Sequence, residues 1–277
     1  MAGNSLKTDV LILRRDEHEV GVAPAMGAIT FWRWRDADIF RPSDPAAIAA
    51  RDPLGVACFA MAPWVSRVRD SRFDFHGRTF ALNPETDPRL GRFAIHGEVW
   101  RNPWTITQQS DLRLDLACAP GRDGAWPWDY VCTQSIVIAK NGLEMTLSLQ
   151  SNSDAPFPYT FGLHPYFARR GENRLSARVQ HRAILSSEGM PLGEEDGSAR
   201  WRDETVTRGV EDHCYRGWTG EAVVAFIDDR FQVRMRAEGC DFLQVYAPDA
   251  DYFCVEPQTG GPNALNRGLD GGVRILE

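Results

Sequence analysis

Hydrophobic and polar residues alternate with a period of two along much of this chain. In LEMTLSLQ, Leu143, Met145, Leu147 and Leu149 fall on one side, and Glu144, Thr146, Ser148 and Gln150 on the other. Successive side chains of an extended strand point to opposite faces, so this pattern predicts a strand with one face on a core. The preceding QSIVIAKNG supplies a second apolar run that ends at Asn141-Gly142. Asn-Gly between two such runs predicts a hairpin through a type I′ turn, whose central residues both need positive φ. AVVAFIDDRFQVRMRAE predicts another hairpin turning at Asp228-Asp229, RFDFHGRTFAL a third around His76-Gly77, and DLRLDLAC a further alternating strand. Helical patterning is confined to Asp44 to Pro53, where proline on both sides limits it to a turn or two. The polar, glycine-rich SSEGMPLGEEDGSARWRDE predicts an exposed loop. No fixed repeat and no composition shift divides the chain. The expectation is a single domain over residues 1–277, all-β, built as a large antiparallel β-sandwich with long connections.

Composition narrows the function classes. A formal net charge of -7, with arginines scattered along the chain, argues against nucleic acid and against anionic membrane surfaces as partners. The six cysteines form no C-x-x-C pair, which predicts buried free thiols in a reducing compartment. The only apolar run near the start is Val10 to Leu13, too short for a signal or a span, so a cytoplasmic location is expected.

The candidate chemistry lies in a few segments. His164 sits in TFGLHPYFAR, between Leu163 and Pro165 in an aromatic run. A histidine in such a setting is costly to charge and easy to orient; it fits a core filler, a metal ligand or a proton carrier. His96 lies in RFAIHGEVWRNPW, followed by Gly97, where the backbone can turn or let another group approach. The six histidines form no H-x-x-x-H or H-x-H pair, so no compact metal motif is present; His18 and His181 lie in polar segments and read as surface residues. Glu256, in DYFCVEPQTGGPNAL, ends an apolar strand. Desolvation there would raise its pKa toward that of a general base, whereas an arginine partner would make it a structural ion pair. Asp212 in GVEDHCYRGWTG reads as a turn-forming acid, and Arg67 in MAPWVSRV as an ion-pair partner or a ligand contact. Nine tryptophans fit either stacking platforms for sugar rings or a large β-core.

Taken in order, EVGVAPAMGAIT, APWVSRV, AIHGEVW, FGLHPYF, EDHCYRGWTG and FCVEPQTGGPNAL resemble the aldose 1-epimerase (galactose mutarotase) family across most of the chain. The resemblance implies a galactose-mutarotase-like β-supersandwich and an isomerase that interconverts the α and β anomers of an aldohexose without metal or redox cofactor. It implies that His164 is the general acid to the ring oxygen and Glu256 the base on the anomeric hydroxyl. It further implies that His96 is a second pocket histidine, and that Arg67 and Asp212 hold sugar hydroxyls. Two departures concern substrate recognition: Ser66 stands where relatives often have Asn before the pocket arginine, and QTGGPNAL differs from the loop many relatives carry. Proximity of Glu256 to His164 would raise the histidine pKa and give a bell-shaped pH profile. Two alternatives keep the fold. One is an epimerase of hexose 6-phosphates, with Arg69, Arg72, Arg169 and Arg170 as phosphate ligands. The other is a non-catalytic sugar-binding protein.

Overall fold

A computed structural model describes residues 10–121 and 125–277; the N-terminal segment before the Val10–Leu13 run lies outside them. The period-two pattern is realised as strands joined by antiparallel ladders, most of them pairing with a neighbour in sequence. The largest sheet has 11 strands. Its path runs from Leu11–Arg15 through His18–Ala23, Ala28–Trp34 and Ala37–Phe40 to Gly162–Ala168. It continues through Tyr252–Gln258, Phe242–Ala247 and Glu211–Arg216 to the hairpin of His181–Leu185 and Pro191–Asp196. Cys58–Met61 pairs with both Gly162–Ala168 and Ala28–Trp34. Two four-stranded sheets accompany it, one joining Thr105–Gln109, Arg113–Cys118, Tyr130–Ala139 and Gly142–Ser151, the other Arg202–Thr205, Asn173–Ala177, Glu221–Phe226 and Phe231–Arg236.

One main core joins these layers. Leu243, Val245, Phe253, Val255 and Phe167 of the large sheet, Leu114, Leu116, Ile136 and Ile138 of the first small sheet, and Leu175, Val224 and Phe226 of the second all belong to it. Leu114 is fully buried opposite Ile136. Truncating it leaves a cavity that rigid sheets fill poorly, so Leu114→Ala is expected to cost about 2–5 kcal/mol, read from the shift in denaturation midpoint. Seven of the nine tryptophans (Trp32, Trp64, Trp100, Trp104, Trp126, Trp201 and Trp218) are buried. The core reading therefore prevails over the sugar-platform reading for them. All six cysteines are free thiols, five of them buried. Among the described residues no helix is long and apolar enough to cross a membrane.

The local expectations hold with instructive differences. His76 and Gly77, with φ of 49° and 74°, close the hairpin of Arg72–Phe75 and Arg78–Ala81 as a type I′ turn requires. The hairpin near Asn141 forms, but Ala139 pairs with Gly142, so the two-residue turn is Lys140-Asn141 and neither takes positive φ. Gly142 instead enters its strand at φ 151°. The short helix is Pro45–Ala50, capped by Asp44, whose carboxylate accepts from the Ala46 amide at 2.8 Å. The segment expected to be a loop contains two strands, Pro191–Asp196 and Arg202–Thr205. Both lie at sheet edges and are largely exposed, so neither carries the apolar alternation that marks a half-buried strand. Asp212 is likewise no turn residue; it lies within the strand Glu211–Arg216.

Candidate functional site

Register builds the site. Phe59 is paired with His164, Tyr166 with Cys254, and Gly162 with Gln258. Gln244 is paired with both Glu256 and Cys214, and Tyr246 with both Cys254 and Asp212. Residues two apart share a face. Phe59, His164, Glu256 and Gln244 therefore form one row across four strands, flanked by the row of Tyr166, Cys254, Tyr246 and Asp212. The opposite face of these strands supplies Phe167, Phe253, Val255, Leu243 and Val245 to the main core. The site is thus the second face of a sheet whose first face is locked in place.

At its centre His164 Nε2 lies 3.3 Å from Glu256 Oε1. Glu256 Oε2 accepts a hydrogen bond from Gln258 Nε2 at 2.9 Å. Both charged forms are disfavoured by burial. Desolvation, with the Arg41 charge as a smaller cause, lowers the His164 pKa to about 3. Desolvation, then the Asp212 charge, raises Glu256 well above the carboxylate range, and the Gln258 hydrogen bond only partly opposes it. This corrects the expectation that Glu256 would raise the histidine: the cost of charging an enclosed imidazole outweighs the attraction. Burial thus favours the uncharged form of each member of the pair. The ring orientation of His164 is fixed by stacking between Phe59 at 4.7 Å and Tyr166 at 4.6 Å.

His96 stands edge-on to His164 at 5.4 Å between ring centroids. It lies in the left-handed region, φ 60°, followed by Gly97 at φ 74°. Its backbone amide donates to Ser66 O, and its Nδ1 accepts from the Ser66 amide at 3.3 Å. An accepting Nδ1 leaves the proton on Nε2. Burial, then the charges of His164 and Arg67, hold its pKa well below the ordinary value, so His96 is a neutral donor. Ser66, at φ 54°, meets this histidine through its backbone. Asparagine tolerates the left-handed region better than most residues. The departure at this position therefore sits on a backbone requirement.

Arg67 is half-buried, and its guanidinium donates to Leu90 O at 3.2 Å. Its backbone carbonyl accepts from the Asn263 amide at 2.8 Å, and Asn263 Oδ1 accepts from the Arg69 amide at 2.9 Å. The loop QTGGPNAL thus ties the arginine segment to the end of the Glu256 strand. Asp212 accepts from Gln244 Nε2 at 2.8 Å. Desolvation raises its pKa, against the opposing charge of Arg67. All five residues singled out in the sequence, His164, Glu256, His96, Arg67 and Asp212, are linked by contacts or by electrostatic influence within this one region.

Four participants were not read from the sequence. Gln258 lies two residues beyond Glu256 on the same face, a spacing that could have found it. Gln244 is visible only through cross-strand pairing. Phe59 reads as an ordinary core residue. Arg41 has no local signal; it stacks over Tyr166 at 3.7 Å and Tyr252 at 4.2 Å and donates to Val56 O at 2.9 Å. Of the arginines considered for phosphate, Arg169 donates to the carbonyls of Val206 and Ala250, and Arg170 pairs with Asp229 at 2.6 Å. Arg69 and Arg72 are exposed.

Comparison with known proteins places this geometry in context. The model of the family Aldose 1-epimerase matches residues 12–272. The uncharacterized protein YphB of Escherichia coli K12 is 25% identical over 261 residues, which span 88% of this chain and 86% of YphB. A crystal structure of an Escherichia coli K12 protein described as a candidate aldose 1-epimerase superposes with a TM-score of 0.87 at 21% identity, covering 97% of this chain and 94% of that one. A galactose mutarotase-like protein from Clostridium acetobutylicum superposes with a TM-score of 0.83 at 16% identity, covering 97% and 90%. The fold is thus the galactose mutarotase-like β-sandwich, and with its family model matched from residue 12 to residue 272 the chain belongs to the aldose 1-epimerase family.

Proposed function

We propose that the protein is an aldose 1-epimerase that interconverts the α and β anomers of an aldohexose by moving one proton within the His164–Glu256 pair. The observation that carries this reading is the 3.3 Å approach of two buried titratable groups on one face of the large sheet. In ring opening, the Glu256 carboxylate takes the proton of the anomeric hydroxyl while the His164 imidazolium gives one to the ring oxygen. The bond from C1 to the ring oxygen breaks and an aldehyde forms. Rotation about C1–C2 turns the carbonyl over. In closure, Glu256 returns its proton to the carbonyl oxygen, His164 takes the proton of the attacking hydroxyl, and the opposite anomer results. Protons balance, and the pair ends as it began.

Opening uses the arrangement with the proton on His164; closure uses the arrangement with the proton on Glu256. Burial favours the second. Switching to the first moves one proton over a short distance without changing the charge of the pair. Sugar hydroxyls and the Nε2–H of His96 supply hydrogen bonds that favour the ionic arrangement once substrate is bound. Arg67 and Asp212 hold hydroxyls away from the reacting centre. The site draws on Phe59, Arg67 and His96 from the first half of the chain and on His164, Asp212 and Glu256 from the second. We accordingly take residues 1–277 as one functional unit.

Two outcomes follow. Activity requires the pair to hold one proton, so the acid-side loss of kcat/KM follows addition of a second proton to His164 in the free protein. It is expected well below the ordinary imidazole value of about 6.5, because folding lowers that pKa. Exchange between α and β anomeric signals by NMR, followed against pH, tests this; an acid limb at or above pH ~6.5 contradicts it. Arg67→Ala is expected to raise KM about 10–100-fold with a smaller change in kcat, as for loss of a charged hydrogen bond made equally in ground and transition states. Sugar binding without anomer exchange would favour the non-catalytic reading instead.

A further inference from the structure

We infer that this sheet face is also a binding site for a thiophilic divalent cation of the zinc class, formed by His164 Nε2, Glu256 Oε1 and the thiol of Cys254. The ligand atoms of these three residues lie within 4.8 Å of one another. All three side chains are enclosed, with relative exposures of 8%, 2% and 0%. A tetrahedral zinc ion with bonds of about 2.0–2.1 Å to nitrogen and oxygen and about 2.3 Å to sulfur spaces its ligands about 3.3–3.7 Å apart. The nitrogen and oxygen already stand 3.3 Å apart. The sulfur lies no farther than 4.8 Å from either of them, so it has to move by about 1 Å to reach that spacing.

Charge decides the selectivity. Imidazole binds neutral, and the thiol and carboxyl each release a proton. The divalent ion then sits among two unit negative charges, and the complex is neutral overall. A neutral complex is what an enclosed, poorly hydrated site tolerates, whereas a monovalent ion would leave net negative charge. The imidazole–thiolate–carboxylate set suits borderline-soft ions over magnesium or calcium, which prefer oxygen ligands. Nothing in the sequence spacing announces this site: Cys254 and Glu256 are two apart on one strand, and His164 comes from its neighbour.

Filling the site occupies the proton-carrying atoms of both His164 and Glu256. The binding stands on geometry alone, while its inhibitory consequence rests on the function proposed above. Zinc chloride is expected to lower anomer exchange by wild-type protein at least tenfold, with recovery on adding EDTA. Cys254→Ser, compared with its own metal-free rate, is expected to need at least tenfold more zinc for the same fractional inhibition. Titration with cobalt(II) is expected to give a thiolate-to-cobalt charge-transfer band in the near ultraviolet for wild type and none for Cys254→Ser. X-ray absorption of zinc-loaded wild type, which needs no variant, should show one sulfur and otherwise nitrogen or oxygen neighbours. Equal zinc sensitivity of both proteins, no thiolate band in wild type, or a zinc shell without sulfur overturns the inference. A cobalt band in a wild-type protein that exchanges no anomers would keep the metal site and reject the epimerase.

Discussion

Glu256→Gln is expected to slow anomer exchange by about 10²–10⁴-fold while sugar still binds, the usual loss when a positioned acid–base group is removed. The amide is nearly isosteric with the carboxyl, so the row of Phe59, His164, Glu256 and Gln244 keeps its packing. Glutamine can still pair with Gln258, but it can neither take nor return a proton. His164→Asn should give a loss of the same order, because opening requires both members. The double variant should be little worse than either single one: once the proton has no second carrier, removing the first changes nothing further. Rates of anomer exchange and equilibrium titration with sugar, measured on all four proteins, separate chemistry from binding. Additive losses would mean that the two residues act independently, against the shared-proton scheme.

Gly97→Ala is expected to destabilise the fold by about 2–4 kcal/mol and to disturb His96 with it. A Cβ at Gly97 would stand 1.9 Å from Ala62 O and 2.2 Å from Ala62 C, backbone atoms that cannot swing away. The same carbonyl accepts from the Glu98 amide at 2.7 Å, so relief by moving it breaks a hydrogen bond. Overpacking of this kind costs about 1–3 kcal/mol, and the left-handed conformation adds about 1 kcal/mol. Gly77→Ala is the matched control, since Gly77 has the same φ of 74° and nothing within 4 Å of the added carbon. It should lose only the conformational part, about 1 kcal/mol. Denaturant midpoints of the two variants isolate the contact. Equal losses would show that the close approach to Ala62 carries no weight.

The elements legible in the sequence were those whose burial differs between their two faces. Gly142–Ser151 and Phe231–Arg236 alternate strictly because one side meets the core and the other meets water. Pro191–Asp196 and Arg202–Thr205 escaped because edge strands exposed over most of their length have no such contrast. The turn at Lys140-Asn141 slipped by one residue from the expected Asn-Gly because cross-strand pairing of Ala139 with Gly142 set the register. The tryptophans were ambiguous until their burial was known.

The site was legible through resemblance more than through local pattern. His164, His96, Glu256, Arg67 and Asp212 are spread over nearly two hundred positions; strand pairing brings His164, Glu256 and Asp212 together, and an isolated bridge and backbone hydrogen bonds outside the strands hold Arg67 and His96. Gln258 alone could have been found by counting along the strand. The protonation of the pair was misjudged from sequence because it depends on enclosure. Stacking of Phe59 and Tyr166 around the imidazole, with the Arg41 charge behind Tyr166, reverses the shift that a neighbouring carboxylate would produce in water.

Polarimetry on freshly dissolved α-D-galactose and α-D-glucose, with and without the wild-type protein, tests the central claim most directly. The account predicts that optical rotation reaches the same final value as in buffer, only faster, and that Glu256→Gln abolishes the acceleration. Relaxation at the buffer rate with both sugars, under conditions where binding is demonstrated, would contradict it.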